Sequence, residues 1–225
     1  WSLNISNLSI KPEKSVKLLG VTIDNKLSFD DHIDIICKKA SRQLNVLKRF
    51  SNKLSTKGKL SIYQTFLLSH FNYCPVVWMF CSKGNVTSME QIQYRALKFV
   101  YNDHVSPMST LLNKAGKTTL HIARLKCLAI HVYKSLNNLC PSYLCDMFKR
   151  NDTPYGLRDS SRLIQPKVHT VTHGLKSVHY HGPKIWNALP THIKSATSLL
   201  QFKRCLKDWS GPLCNCSFCF SYNQL

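Results

Sequence analysis

The chain has 225 residues, 44% of them hydrophobic, and carries 31 Lys and Arg against 11 Asp and Glu for a formal charge of +20. That is enough to bury a core, in one large domain or two small ones, and a charge of this sign points to a polyanionic partner, nucleic acid first. The ten cysteines do not read as a secreted disulfide scaffold: seven of them (Cys37, Cys74, Cys81, Cys127, Cys140, Cys145, Cys205) are scattered in apolar helical segments, and with no signal peptide read in this sequence the expectation is an intracellular, nuclear or cytoplasmic protein that is not secreted.

Residues 1–29 read as β. Val16–Ile33 reads as two short strands around an Asp24-Asn25 turn that run into a helix capped by Asp30 or Asp31. The helix, Asp31–Leu54, is the best-defined element. At about 100° per residue, Ile33, Ile36, Cys37, Ala40, Leu44, Leu47, Phe50 and Leu54 share one face. Lys38, Arg42, Arg49 and Lys53 gather on the opposite face with no acid interleaved, whereas ordinary surface helices mix signs to form i,i+4 pairs. That stripe is read as a phosphate-contacting surface, with a solvated charged face as the alternative. The charge is also spread along the chain, with 12 basic against 5 acidic residues in 1–60, 10 against 3 in 61–150 and 9 against 3 in 151–225. An even spread suits contact with a nucleic-acid backbone better than one base-reading element.

A second helix spans Thr56–Phe71, with Thr56 as its cap. Phe71–Cys81 is an apolar stretch broken by Pro75, and the wider segment Phe66–Cys81, which contains His70, Asn72 and Pro75, is too short and too polar to cross a membrane. Its Tyr73, Trp78 and Phe80 read as core aromatics, with base stacking as the alternative. Ser88–Tyr101 is a third helix, with Met89, Ile92, Ala96, Leu97 and Val100 inward and Arg95 and Lys98 between them in sequence. A short helix at Ser109–Ala115 stops at Gly116. Thr119–Asn137 carries the stripe Ile122, Leu125, Leu128, Ala129, Val132, Tyr133 and Leu136, with Arg124, His131 and Lys134 across from it. Residues 155–182 return to β: Val168 to Thr172, a His173-Gly174 turn, then Leu175, Val178 and Tyr180 predict a hairpin. A helix near Ser198–Trp209 and a cysteine-rich tail follow. The expected fold is therefore mainly α with small β elements (α+β): an N-terminal β-hairpin, a helical bundle, and a C-terminal β-hairpin plus helix.

Several phrases, in order along nearly the whole chain, carry a resemblance. They are Leu19-Gly20-Val21 with the helix after it, Phe71-Asn72-Tyr73-Cys74-Pro75 with Trp78, Arg95-Ala96-Leu97-Lys98-Phe99-Val100-Tyr101-Asn102-Asp103, Gly182-Pro183-Lys184-Ile185-Trp186-Asn187-Ala188-Leu189-Pro190, and Trp209-Ser210-Gly211-Pro212-Leu213-Cys214-Asn215-Cys216-Ser217. Together they resemble the reverse transcriptases of non-LTR retrotransposons, the LINE group of jockey-like and CR1-like elements. The resemblance implies an RNA-directed DNA polymerase as parent, with 1–29 as the end of its palm, 30–150 as a helical thumb and the helices after it, 151–210 as a C-terminal region of hairpin and helix, and 211–225 as a Cys-rich tail. It places Leu19, Gly20 and Val21 in the primer grip, and Gly20 would let backbone approach a primer terminus. The parent's Tyr-x-Asp-Asp turn would hold two Mg2+ ions. No such motif occurs here, and the chain begins at Trp1, so it reads as a fragment without the upstream polymerase domain and without catalysis of its own.

Two clusters remain. Asp24, Asp30, Asp31 and Asp34 are accounted for by a turn and a helix start rather than by a metal. Cys214, Cys216 and Cys219 supply three of the four ligands a zinc ion needs, so a Zn2+ site and a reduced tail both stay open. The expected function is a reverse-transcriptase fragment that binds primer-template RNA and DNA through a basic helical face. The rivals are a decayed retroelement remnant without a selected function and a small zinc-dependent nucleic-acid-binding module.

Overall fold

A computed structural model of the chain describes residues 3–5, 8–50, 53–151, 162–171 and 173–211. The chain divides into two compact units, Trp1–Ala115 and Gly116–Leu225. The division falls inside the 30–150 stretch that the sequence presents as one helical block. Among the described residues the protein is mainly helical with small antiparallel β elements, as expected.

The first unit opens with two hairpins. β1 (Leu3–Ile5) pairs with β2 (Leu8–Ile10), and β3 (Ser15–Leu18) pairs with β4 (Val21–Asp24), Leu18 opposite Val21 and Ser15 opposite Asp24. This register corrects the expected turn. The hairpin reverses at Leu19 and Gly20, whose φ angles are 45° and 85°, and the Asp24-Asn25 turn, closed by the Leu27 amide on the Asp24 carbonyl at 3.0 Å, follows the second strand instead of joining the two. A two-residue hairpin needs positive φ at both central positions, and glycine meets that demand without a Cβ penalty. The Asp24 carboxylate instead accepts the amide N–H groups of Lys26, Ser28 and Phe29 at 2.9, 3.1 and 2.6 Å, which bends the chain into the first helix.

That helix, α1, runs Asp30–Arg49. Neither Asp30 nor Asp31 caps it. The cap position is Phe29, in a left-handed conformation without a side-chain cap bond, and the two aspartates lie in the first turn, where the positive end of the helix dipole favours them. The helix also ends five residues before the expected Leu54. Phe50 is its C-terminal flank and is 52% exposed, so it leaves the expected apolar stripe. The remaining stripe (Ile33, Ile36, Cys37, Ala40, Leu44, Leu47) is buried, together with His32.

α2 (Thr56–Ile62) is capped by Ser55, whose hydroxyl accepts from Gly58 N, one residue before the expected Thr56. It continues through a π-helical turn, Tyr63–Leu67, into α3 (Leu68–Asn72). The π turn places Tyr63 and Leu67 in the core, and the Gln93 side-chain amide donates to the Tyr63 hydroxyl at 3.1 Å. Trp78 is fully buried near His32 and donates its indole N–H to the Tyr73 carbonyl, so it is a core residue. α4 (Lys83–Tyr101) starts five residues earlier than expected because Ser82 caps it through Asn85 N. Its Met89, Ile92, Ala96, Leu97 and Val100 are buried where α4 packs on α1, and α5 (Met108–Ala115) packs against α4 before Gly116 turns at φ 59°.

The second unit is built on α6 (Leu120–Leu136), capped by Thr119. Leu125, Leu128, Ala129, Val132 and Tyr133 are buried as the stripe predicts, but Arg124 is buried too, only 2% exposed, rather than across from the stripe in solvent. A short α7 (Ser142–Cys145) follows. The expected C-terminal hairpin does not form. Residues 164–170 lack regular structure, and Val178–Ala188 is a helix, α8, capped by Ser177 onto Tyr180 N. The deciding pattern is Gly182, Pro183, Ile185 and Trp186, all buried, whose spacing is that of a helix face and outweighs the local β-branched residues. The only β pairing here among the described residues is a single bridge, Arg150 to Leu163. Asn187 then pins that bridge, accepting from Leu163 N at 2.8 Å and donating to its carbonyl at 2.9 Å. α9 (Thr191–Lys194) and α10 (Leu199–Lys207) close the unit, with Phe202 stacked on Tyr133 at 4.3 Å between ring centres, a contact worth about 0.5–1.5 kcal/mol beyond the area it buries.

Candidate nucleic-acid interface

The helical period of α1 decides where its cations point. Its buried stripe fixes the opposite side outward, and Lys38, Arg42 and Arg49 are all exposed on it. The face is less uniform than the sequence suggests. Asp34, one turn before Lys38, pairs with it at 2.6 Å, so an acid is interleaved after all. Both side chains are more than half exposed, and such a pair contributes little to stability, but it offsets the Lys38 charge locally. The fourth predicted cation, Lys53, is exposed but off the helix, in a turn where its amide donates to the Phe50 carbonyl. The acid-free part of the face is therefore Arg42 and Arg49, with the exposed apolar Val46 between them.

Leu19, Gly20 and Val21 do not lie together on a strand. Leu19 and Gly20 form the tip of the β3–β4 hairpin, and Val21 is the buried first residue of β4. The Tyr73 hydroxyl donates to the Leu19 carbonyl at 2.6 Å, and a Cβ on Gly20 would lie 3.5 Å from the Tyr73 ring. The turn and its positive φ account for the glycine. Leu19 itself is 83% exposed.

A second concentration of charge was not legible as a site. Lys48 from the last turn of α1, Lys59 from α2, and Arg95 and Lys98 from α4 line an open cleft of about 560 Å³ together with Phe99, Asn102 and His104. No carboxylate belongs to the lining. The only trace of it in the sequence is the Arg95–Lys98 spacing of three, which puts both on one side of a helix.

The thiols Cys37 and Cys81 are buried and Cys74 is exposed. Burial, then the nearby Asp34 carboxylate, pushes the Cys37 thiol up to about 11, so it stays protonated and inert. No group of three or more His, Cys, Asp or Glu that could hold a metal occurs among the described residues, and Cys214, Cys216 and Cys219 lie outside them. Among the described residues no helix is long and apolar enough to cross a membrane.

No model of a known protein family matches the chain, and no solved structure does. Over 101 residues the chain is 21% identical to a Drosophila melanogaster protein described as a probable RNA-directed DNA polymerase from transposon BS. The match covers 44% of this chain and 11% of that relative. A region of this chain is thus similar to a retrotransposon RNA-directed DNA polymerase.

Proposed function

We propose that the chain derives from a non-LTR retrotransposon reverse transcriptase, and that its first unit is a thumb-like element that holds primer-template duplex without carrying the polymerase's own carboxylates. The observation that carries this reading is α1: Ile36 and Leu47 are buried while Arg42 and Arg49 stand exposed, so the helix presents fixed positive charge outward from a rigid support. Lys38, paired with Asp34, lies on the same face, Lys53 is exposed beyond the helix end, and the exposed Leu19–Gly20 tip is the part of the unit available to a primer end. The similarity to a transposon RNA-directed DNA polymerase supports nucleic acid as the partner class.

The test is duplex binding by the full chain across a salt series. Replacing Lys38, Arg42, Arg49 and Lys53 together with Gln should weaken binding. It should also flatten the salt dependence by roughly 0.9 for each phosphate no longer neutralised, about 3 in all if the Asp34 pair already holds Lys38. Unchanged affinity and slope reject the proposal. Primer extension by the isolated chain in Mg2+ should be absent, and measurable extension would reject the non-catalytic part of the reading.

A further inference from the structure

We infer that the cleft between α1, α2 and α4 binds a single-stranded nucleic-acid segment, at a site separate from the outer face of α1. This rests on the reading that the first unit meets nucleic acid, and it adds a second, differently shaped binding surface. The cleft collects four cations, Lys48, Lys59, Arg95 and Lys98, from three helices, with the His104 and Asn102 side chains beside them. Among the described residues none of the four is paired with a carboxylate. Asp103, adjacent in sequence to both Asn102 and His104, is engaged elsewhere: it accepts from the amides of Ser106 at 2.9 Å and Val105 at 3.3 Å and from the Lys114 ammonium at 3.2 Å.

Two of the cations rest on aromatic rings instead. The Lys59 ammonium sits 5.0 Å above the centre of Phe99, and the Lys98 ammonium 4.2 Å above the centre of Tyr94. These rings hold long, flexible side chains near one geometry, which lowers the ordering cost of meeting a phosphate. Helix dipoles explain part of the clustering, because Lys48 and Lys98 lie in the last turns of α1 and α4. They do not explain Arg95, in the interior of α4, or Lys59, whose helix continues through Tyr63–Leu67 and α3.

Shape selects the strandedness. A cleft of about 560 Å³ is in the range of small-ligand sites, roughly 300–1,000 Å³. A flexible single strand turns a phosphodiester into it, whereas a duplex, stiff over about 150 base pairs, meets only its rim. The lining supplies charge from all sides, with Lys59 over the Phe99 ring, so binding follows the phosphates rather than the sequence.

The experiment uses the full chain, a labelled single strand of about 12 nucleotides, a blunt duplex of about 20 base pairs, and fluorescence anisotropy from about 50 to 200 mM salt. Substituting Lys59→Gln, Arg95→Gln and Lys98→Gln together should weaken single-strand binding at least about tenfold at low salt and reduce its salt slope by about 2, roughly 0.7 for each phosphate no longer neutralised. Duplex affinity should stay within about twofold. Arg95→Gln alone, at an exposed position, should lower the slope by about 0.7 and serves if the triple variant does not fold. The inference is overturned if wild type fails to bind the single strand, if the variants bind it as wild type does, or if the triple variant loses both probes equally. A wild-type chain that binds the single strand and not the duplex refutes the α1 proposal while supporting this one.

Discussion

Acid should weaken the second unit through His121, and the size of the effect follows from its surroundings. The imidazole lies on α6, 2% exposed, with Arg124 three residues further along the same helix and equally buried. Burial first, and the Arg124 guanidinium second, hold its pKa down to about 4, against 6.5 for an unhindered histidine. In the unfolded chain the ring takes up its proton near pH 6.5; in the folded unit it resists until near pH 4. Between those values the unfolded state binds more protons, so the stabilising contribution is complete above pH 6.5 and is lost as pH falls toward 4. A gap of about 2.5 units at 1.36 kcal/mol each gives about 3 kcal/mol, a large fraction of a typical domain's stability. His32, His70, His131 and His181 are also shifted downward by burial, so the wild-type curve alone mixes several titrations. Comparison with His121→Gln removes the others. Urea unfolding of both proteins from about pH 7 to about pH 4 should show the variant gaining on wild type by about 2–3 kcal/mol across that range. The ring resonance of His121 should titrate near pH 4 by NMR. A wild-type–variant difference that does not change with pH, or a ring that titrates near 6.5, refutes the reasoning.

Two further substitutions test the local architecture. Asp24→Ala removes the acceptor of three amide N–H groups at the entry to α1 and should cost about 1–2 kcal/mol in urea unfolding of the full chain; a change under about 0.3 kcal/mol would mean that water replaces the carboxylate without penalty. Those bonds also outweigh the opposing effect of burial and hold the Asp24 carboxyl below its usual value, so its contribution should persist at mildly acidic pH and fade only on stronger acidification. Gly182→Ala places a methyl against Phe148 Cε1, 2.7 Å from Phe148 Cζ and 3.2 Å from Val132 Cγ2; overpacking of this kind should cost about 1–3 kcal/mol, and a melting temperature equal to wild type would show that Phe148 moves aside freely.

The helices whose apolar residues keep a 3.6-residue period were legible from sequence. The buried positions of α1, α4 and α6 are largely those the stripes name, and the exposed positions of Lys38, Arg42 and Arg49 follow from the same geometry. Ends were less legible, because Ser55 and Ser82 compete with neighbouring polar residues for the cap and only the amide actually reached decides between them. The C-terminal hairpin is the clearest departure. Val168–Thr172 and Leu175–Tyr180 carry β-branched and aromatic residues around a turn, but the second half belongs to a longer helical pattern through Ile185 and Trp186, and burial of that face won.

Periodic order was thus determined by the sequence, since a stripe is written within a few turns of chain. What only the tertiary structure decided is proximity across distance. Lys48, Lys59, Arg95 and Lys98 come from three helices and meet because α1 and α2 pack on α4, and the Leu19 carbonyl meets the Tyr73 hydroxyl across 54 residues. Neither meeting has a periodic signature, because each is set by which buried faces find one another rather than by the residues that end up side by side.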